Sequence, residues 1–361
     1  MNYKFINLLV FLFVHIILIA SVNPAFGQEN YHAQDAVVEP LEVRFPDTVE
    51  NPFFHKIGGI APTPTGWAVL DTGNHRVVHI NQQGNVLGIY GCEGEGPGEF
   101  VNPTQIRTRT SRTTEGQAPP ADIWVLDNDA RRITGLHADA TPTSITIPTY
   151  VDSFCLQDNQ IVASSNPFNG GLFDLYNFDG TVEETEIGPV DTVAVEGYRG
   201  PVSLAVRAEN KVYIECLNDE YILAAYENRP LVRKISTNGT IMDEWRLEGG
   251  ILSAVAERRD EWIARNLEES GGQAYPTVPI VKSTTLLDDG SLLIALTSGQ
   301  FHRLNPSTGE QSWYTYQDVR NLRDDEEMMY LHYISPSKED GLLTADPRHA
   351  LLYTTTLQGN Q

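Results

Sequence analysis

Hydrophobic and polar positions along this chain alternate in short runs, and the runs recur. The clearest copy begins at Gly66. Trp67-Ala68-Val69-Leu70 is apolar, Thr72-Gly73-Asn74-His75 is polar, and Val77-Val78-His79-Ile80 returns to a strand pattern. Gln82-Gln83-Gly84-Asn85 then separates it from Val86-Leu87-Gly88-Ile89-Tyr90. Runs rich in β-branched and aromatic residues, bounded by Gly and Asn, predict three short strands. The intervening turns are too short for parallel crossovers, so the strands run antiparallel.

Five further copies follow. The second covers residues 121–136 and 144–148, and the third 160–165, 172–176 and 182–187. The fourth runs over 211–216, 221–226, 231–236 and 241–247. The fifth takes 289–296, 300–304 and 312–316, and the sixth 341–346 and 350–354. A supersecondary unit repeated in this way predicts a repeat architecture. The expected fold is all-β, a six-bladed β-propeller of four-stranded antiparallel blades. The sixth copy lacks a last strand. Residues 37–45 alternate well and belong to no copy. Placed as the outer strand of the last blade, they close the ring and remove its open sheet edges.

Two segments interrupt the repeat. In residues 251–267, Leu252, Val255, Ala256, Ile263 and Leu267 recur at helical spacing, and Gly271-Gly272 stops the pattern. This predicts a helical insertion, residues 251–272, between blades 4 and 5. Residues 318–329, with Asp324-Asp325-Glu326-Glu327, form an acidic insertion between blades 5 and 6. Residues 109–120 read as a polar loop.

The N-terminus changes the picture of location. Lys4 precedes an apolar run over residues 5–20, broken only by Asn7 and His15, and Ala25 and Gly27 place small residues before Gln28. That is the pattern of a secretory signal over residues 1–27, leaving residues 28–361 as one domain that is secreted or periplasmic. A membrane anchor is the rival, since the run approaches the ~17 residues of a short span. The small residues favour cleavage. No cysteine follows the run, so no lipid anchor is expected, and no second apolar stretch is long enough to cross a bilayer.

The formal charge is −23, from 48 acidic against 25 basic residues. Such a surface repels phosphate backbones and excludes nucleic acid as a partner. It favours solubility and attracts cations. Cys92, Cys155 and Cys216 lie far apart with no zinc-ligand spacing. An oxidising compartment allows one disulfide and an odd thiol; buried free cysteines are the simpler expectation.

The segment Ala68-Val69-Leu70-Asp71-Thr72-Gly73-Asn74-His75-Arg76-Val77 resembles the core of an NHL repeat, V-x-D-x-x-N-x-R-I/V. Gly91 to Gly98, then Glu99-Phe100 and Pro103, is similar to the glycine-rich link between NHL blades. The second copy matches in Asp127, Asn128 and Arg131 or Arg132; the others match only as strand patterns. The resemblance implies a propeller similar to exported bacterial six-bladed ones. It also implies a structural role for Asp71, Asn74, Arg76, Asp127 and Arg131. An Asp ending one strand pairs with an Arg opening the next, and Asn satisfies the turn. The stretch from Gly91 to Gly98 is a connector rather than a phosphate loop. No Lys-Ser/Thr or helix follows it, and Glu93, Glu95 and Glu99 repel phosphate.

In a propeller, the links between blades and the turns between second and third strands share one face. Candidates for the channel mouth there are Phe54, His55, Tyr150, Asp152, Tyr198, Arg199, Tyr275 and His332. The second-to-third-strand turns add His75, Asp129, Asn218 and His349. Aromatics with a few polar groups suit a protein, peptide or small ligand; packing between blades is the bland alternative. Related six-bladed propellers include gluconolactonase- and regucalcin-type lactonases, with a divalent metal on Glu, Asn and Asp. They also include the peptidyl-hydroxyglycine lyase, with histidines on zinc. That likeness implies a divalent cation at the mouth, with His55, Asp152 and His332 as ligand candidates. The spacing itself shows no metal motif, and neither G-x-S-x-G nor H-E-x-x-H occurs. The expected function is an exported recognition module working at the mouth. The alternative is a metal-dependent hydrolase or lyase at the same place. No catalytic residue is assigned.

Overall fold

The structure is a computed structural model. It describes residues 34–109, 122–137, 142–147, 150–165, 170–192, 197–249, 251–273, 275, 277–316, 333–336, 341–346 and 350–357. The expected signal segment, the acidic insertion and most of the polar loop over residues 109–120 lie outside the described residues.

Blade 1 is built from β2 (Ile57–Thr63), β3 (Gly66–Asp71), β4 (Arg76–Asn81) and β5 (Val86–Tyr90), paired in that order and antiparallel throughout. Four more units repeat it. They are β6 (Pro103–Arg109) to β9 (Thr143–Thr146), and β10 (Phe154–Leu156) to β13 (Val182–Pro189). The others are β14 (Val212–Cys216) to β17 (Ile241–Arg246), and β18 (Val281–Leu286) to β21 (Gln311–Tyr316). The sixth has β22 (Tyr333–Pro336), β23 (Gly341–Asp346) and β24 (Leu351–Leu357) from the end of the chain, with β1 (Gln34–Pro40) as its outer strand. The chain is therefore an all-β six-bladed propeller closed by its N-terminal strand.

Each blade buries both faces against neighbours, so its second strand is apolar on both sides. All of β3 and all of β19 (Leu292–Leu296) are buried, whereas the outer β17 is mostly exposed. The first strands β2, β6, β10, β14, β18 and β22 each touch the next around the axis, and β22 touches β2. Apolar clusters fill the interfaces between blades. Cys155, Val162 and Phe173 of blade 3 pack on Ile214, Ile222 and Ala224 of blade 4. Leu343 and Leu352 of blade 6 pack on Val69 and Val78 of blade 1.

Closure depends on residues 34–44. Along β1, Ala36 to Pro40 pair antiparallel with β24, while Gln34 to Ala36 run parallel to β21 of blade 5. Beyond Pro40 the chain leaves blade 6. Arg44 N donates to Gly84 O at 2.9 Å, at the outer hairpin of blade 1. The closing strand expected over residues 37–45 is thus a shorter strand plus a strap over three blades.

Five of the six innermost strands, β2, β6, β10, β18 and β22, carry no readable strand pattern. The crowding near the axis explains β2, where side chains must be small. A Cβ on Gly59 would stand 3.0 Å from Ile106 Cγ2, and one on Gly58 would stand 2.0 Å from Thr72 Oγ1.

Among the described residues, two α-helices lie in the links between blades. The expected insertion between blades 4 and 5 is present as a helix at Ile251–Glu269. Its Leu252, Ile263 and Leu267 are buried. It ends in a Schellman turn, with Gly272 N donating to Leu267 O (2.7 Å) and Gly271 N to Glu268 O (3.1 Å). Helix α1 (Val202–Glu209), between blades 3 and 4, was not expected. It is short, and Val202, Ser203 and Leu204 are exposed, so it lacks a continuous apolar stripe. The longer helix is α2.

The expectation of free buried cysteines is overturned. Cys155 on β10 and Cys216 on β14 form a disulfide between the inner strands of blades 3 and 4, with Cα atoms 5.5 Å apart; Cys92 is free and exposed. Sequence separation concealed the pair, because blade geometry alone makes the two strands adjacent. The folded protein should therefore expose one titratable thiol per chain, rising to three after reduction and unfolding. Cys155→Ser with Cys216→Ser should cost about 2–4 kcal/mol in chemical denaturation.

Candidate functional site

The links into each blade and the turns after each second strand meet on one face, at the N-terminal ends of the innermost strands. The repeat residues hold that face together. In blade 1, Asp71 ends β3 and is fully buried. Its Oδ1 accepts from His55 N (3.0 Å) and Lys56 N (3.4 Å), and its Oδ2 from Asn74 Nδ2 (2.7 Å) and Arg76 Nε (3.0 Å). Arg76 Nη2 donates to the carbonyls of Asn51 (2.7 Å) and Phe53 (2.9 Å). The Asp takes the amides of the incoming link and the Arg takes its carbonyls. In blade 2, Asp127 accepts from Val101 N (2.8 Å) and Asn102 N (2.9 Å).

The matching arginine in blade 2 is Arg132, not Arg131. Arg132 lies 3.7 Å from Asp127 and donates to Glu99 O (2.6 Å) and Glu95 O (2.7 Å). Its guanidinium binds the link that starts at Gly91, so that loop is a connector. Arg131 instead occupies a left-handed turn position with φ 51°, like His75 (52°) and Ala350 (54°).

The ends of the second strands are built differently in the next two blades. Ser164 stands opposite Ser153 in blade 3 and accepts from Asp152 N (3.0 Å) and Ser153 N (2.9 Å). In blade 4 the second strand ends at Tyr226 and Glu227 follows it; Glu227 N donates to Lys211 O (2.8 Å). Its longer side chain reaches away from the link. Glu227 Oε1 lies 3.1 Å from Lys211 Nζ and accepts from Tyr213 OH at 3.2 Å. Lys211 Nζ also lies 3.6 Å from Asp152. Arg207 on α1 sits over the Tyr150 ring at 5.4 Å, and Tyr150 is half exposed. Lys282, at the start of β18, completes the group. It makes no hydrogen bond or ion pair among the described residues.

Electrostatics follow from this crowding. Burial pushes the Asp152 carboxyl up from its ordinary range, and Lys211 and Arg207 only partly offset it. Burial also works against the Lys211 ammonium, but Asp152 and Glu227 outweigh it and raise its pKa. Burial lowers the pKa of Lys282; Glu227 partly opposes this and Lys211 adds to it. Groups perturbed by burial and by specific charged neighbours in a recess are candidates for a functional site.

Beside this group lies a self-contained ionic network. Glu209, the last residue of α1, accepts from Tyr275 OH at 2.6 Å and pairs with Arg259 of α2. Arg229 pairs with Asp191 at 2.7 Å, and Arg233 with Asp191 (3.0 Å) and Glu244 (2.7 Å). Tyr198 packs edge-on against Tyr275 with centroids 5.2 Å apart. Arg199 N donates to Gly272 O at 2.8 Å. These contacts fasten both helices to blade 4.

Deeper along the axis, Arg107 of β6 reaches Glu215 of β14 at 2.8 Å, and Thr284 of β18 donates to the same carboxylate oxygen at 2.8 Å. Glu215 is buried, which pushes its pKa up, while Arg107 and Thr284 pull it down. This bridge joins the inner strands of blades 2, 4 and 5.

The structure thus brings together two subsets of the expected residues. Tyr150 and Asp152 join Lys211, Arg207, Glu227 and Lys282. Tyr198, Arg199 and Tyr275 lie on the adjoining helix struts. His55 stands apart on the link into blade 1, where its Nδ1 donates to Gly73 O at 3.2 Å. Phe54 packs edge-on against Phe45, with centroids 5.4 Å apart. Asp129 is exposed in the second-to-third-strand turn of blade 2. Asn218 lies between β14 and β15 (Tyr221–Tyr226), a first-to-second-strand turn, and so on the opposite face. His332 and His349 lie outside the described residues. Among those described, no three His, Cys, Asp or Glu side chains gather as a metal ion would require.

Sequence reasoning missed Lys211, Glu227 and Lys282. A signal existed. Lys211 and Lys282 are two of only six lysines, both at the start of inner strands.

No family model matches the chain, and no curated protein matches it. Solved propellers do. A putative exported protein from Bacteroides fragilis is 11% identical with a TM-score of 0.53, over 92% of this chain and 98% of that one. A structural genomics protein of unknown function from Bacteroides thetaiotaomicron is 13% identical with a TM-score of 0.53, over 90% and 76%. A streptogramin B lyase is 14% identical with a TM-score of 0.51, over 90% and 98%. At these identities the likeness shows the fold.

Two stability tests follow from the geometry. Arg132→Met should cost about 1–3 kcal/mol by orphaning the link carbonyls of Glu95 and Glu99 and removing the cation beside Asp127. Arg131→Gly should be neutral or stabilise by up to about 1 kcal/mol, since glycine relieves a left-handed residue. Equal losses in denaturant melts would contradict the assignment of Arg132 to the clamp. Arg107→Met should cost about 3–5 kcal/mol by leaving Glu215 charged and unpaired, with Arg107→Met/Glu215→Met recovering most of it. In Arg107→Met the folded-state pKa of Glu215 stands above its unfolded value, so the deficit should grow as pH rises from 5 to 8.

Proposed function

We propose that this protein is an exported binding module and that its ligand seats at the helix-bearing mouth of blades 3, 4 and 5. The observation that carries this reading is Lys282. It is a partly buried ammonium with no hydrogen bond or ion pair among the described residues, near Lys211, Asp152 and Glu227, which pair with one another. An unpaired charge in a recess costs stability, and a ligand that pairs with it recovers that cost. Arg207 of α1 reaches the site over the Tyr150 ring, and Glu209 ties α1 to Arg259 of α2 and to Tyr275. Export is supported by the signal-like segment over residues 1–27 and by the fold shared with a putative exported protein.

The metal-dependent hydrolase or lyase reading has no such support among the described residues. Of its three ligand candidates His332 lies outside the described residues, and the other two do not converge. His55 and Asp152 serve links of different blades, each tied to its own strand end.

The test is hydrogen exchange on the mature protein with a mixed set of small acids, amines, neutral amides and dipeptides. Binding at this mouth should slow exchange around residues 211–214 and 281–284. It should also raise the melting temperature, and Lys282→Met should reduce both effects. Ligand-dependent protection confined to the opposite face, around residues 157–160 and 217–220, would sink the proposal.

A further inference from the structure

The seam between blades 4 and 5 holds one side chain that an apolar core does not need. His302 lies on β20 (Phe301–Leu304), directly opposite Ile294 of β19 and Trp313 of β21. Residues directly opposite in a sheet share a side. Ile294 and Trp313 belong to the apolar core shared with Leu223, Ala225 and Val232 of blade 4, so the imidazole stands inside that seam. It is 0% exposed, and its ring packs edge to face with Trp313, centroids 4.1 Å apart. Neither ring nitrogen has a hydrogen-bond partner among the described residues. Gln300, two residues earlier on the same side, also has its Oε1 buried without a partner. An aliphatic side chain in place of His302 would leave no polar atom unsatisfied.

A buried imidazole without partners favours its neutral form. Burial holds its pKa down at about 4, and only Gln311 opposes this. Gln311 is committed elsewhere. Its Oε1 accepts from Glu248 N (3.2 Å) and its Nε2 donates to Arg246 O (3.1 Å). On the facing side of blade 4, the charged residues in line with Leu223 are Glu215, Lys234 and Asp243. Lys234 lies 3.8 Å from Asp243 and over the Tyr221 ring, and Glu215 is held by Arg107 and Thr284. Towards the mouth, Glu227 is held by Lys211 and Tyr213, and Lys282 stands on the inner strand of blade 5. None of these charges bears on the imidazole.

The link that carries α2 is anchored in this same core at both ends, by Leu247 and Leu252 before the helix and by Ile280 after it. The first turn of α2, Ile251-Leu252-Ser253-Ala254, carries no charge to meet a proton in the seam.

We propose that His302 makes this seam an acid-sensitive catch. While the imidazole is neutral, blades 4 and 5 stay closed on each other. When it takes a proton, the seam opens and the link that carries α2 comes loose. The catch works whether or not a ligand seats at the mouth.

The sign follows from the two forms. In the open seam the imidazole regains its ordinary 6.5, above its value in the closed one. The closed form is therefore fully stable above pH 6.5 and loses stability as pH falls from 6.5 towards 4.

Hydrogen exchange of the mature protein at pH 7.5 and 5.5, with opening constants corrected for intrinsic exchange, tests this. Residues 252–267 and 301–304 should open about 10-fold more often at the lower pH, since each pH unit below 6.5 favours the open form about 10-fold. Residues 123–126 of blade 2 should not follow. His302→Leu should remove the difference, and His302→Gln should do so even if leucine overfills the seam. In the unaltered protein, the ring resonances of His302 should titrate well below pH 6.5. Titration of that ring at 6.5 or above would overturn the proposal. An undiminished pH response in a folded His302→Leu or His302→Gln would do the same, as would an acid response spread evenly over all six blades.

Discussion

A blade of this protein has two apolar faces and cannot be stable alone. Its second strands are buried on both sides, and each interface is a small core shared with the next blade. Every blade therefore needs a neighbour on each side, and only a closed ring supplies that to the first and last. Closure falls to residues 34–44. They complete blade 6 through β1, touch blade 5 through β21 and reach blade 1 through Arg44. The remaining features of the molecule presuppose that strap, because the inner strands converge on an axis only in a closed ring.

Convergence has a price at the axis and creates an opportunity at its mouth. Near the axis the backbone is crowded, so β2 uses Gly58 and Gly59 where longer residues would collide. The bridge of Arg107, Glu215 and Thr284 spans three blades there, and a disulfide joins two of the same inner strands. At the mouth the repeat sets a fixed position at the end of each second strand. In blades 1 and 2 an Asp is consumed there in holding the incoming link. In blade 4 the second strand ends at Tyr226, and Glu227 beyond it pairs with Lys211 and Tyr213. Glu209 and Tyr275 fasten the two helices to each other beside that group.

The ease of reading each part followed its physics. Strand runs such as Trp67 to Leu70 and Leu292 to Leu296 were legible because burial on both faces demands continuous apolar character. Helix α2 was legible from its apolar spacing and its terminal Gly271-Gly272. Helix α1 was not, since its exposed Val202 and Leu204 interrupt any stripe. The clamp was legible from Asp71, Asn74 and Arg76, but the choice between Arg131 and Arg132 was not. One residue of offset decides which of them takes the left-handed turn and which reaches Asp127. Among the site candidates, Tyr150 and Asp152 were found from their place in a link, and their partners Lys211, Glu227 and Lys282 were not.

The sequence by itself determined the repeat, the count of blades, the helical insertion before blade 5 and the need for an N-terminal closing strand. These rest on local patterns of burial and turn chemistry, which a linear reading can see. The tertiary structure alone decided that Cys155 meets Cys216, that Arg107 meets Glu215, and that Lys282 pairs with none of the described residues. Those residues are 61, 108 and more than 50 positions from the groups they meet or sense. In a propeller, adjacency around the axis joins positions one or more blades apart, and no local pattern records which side chains the inner strands bring together.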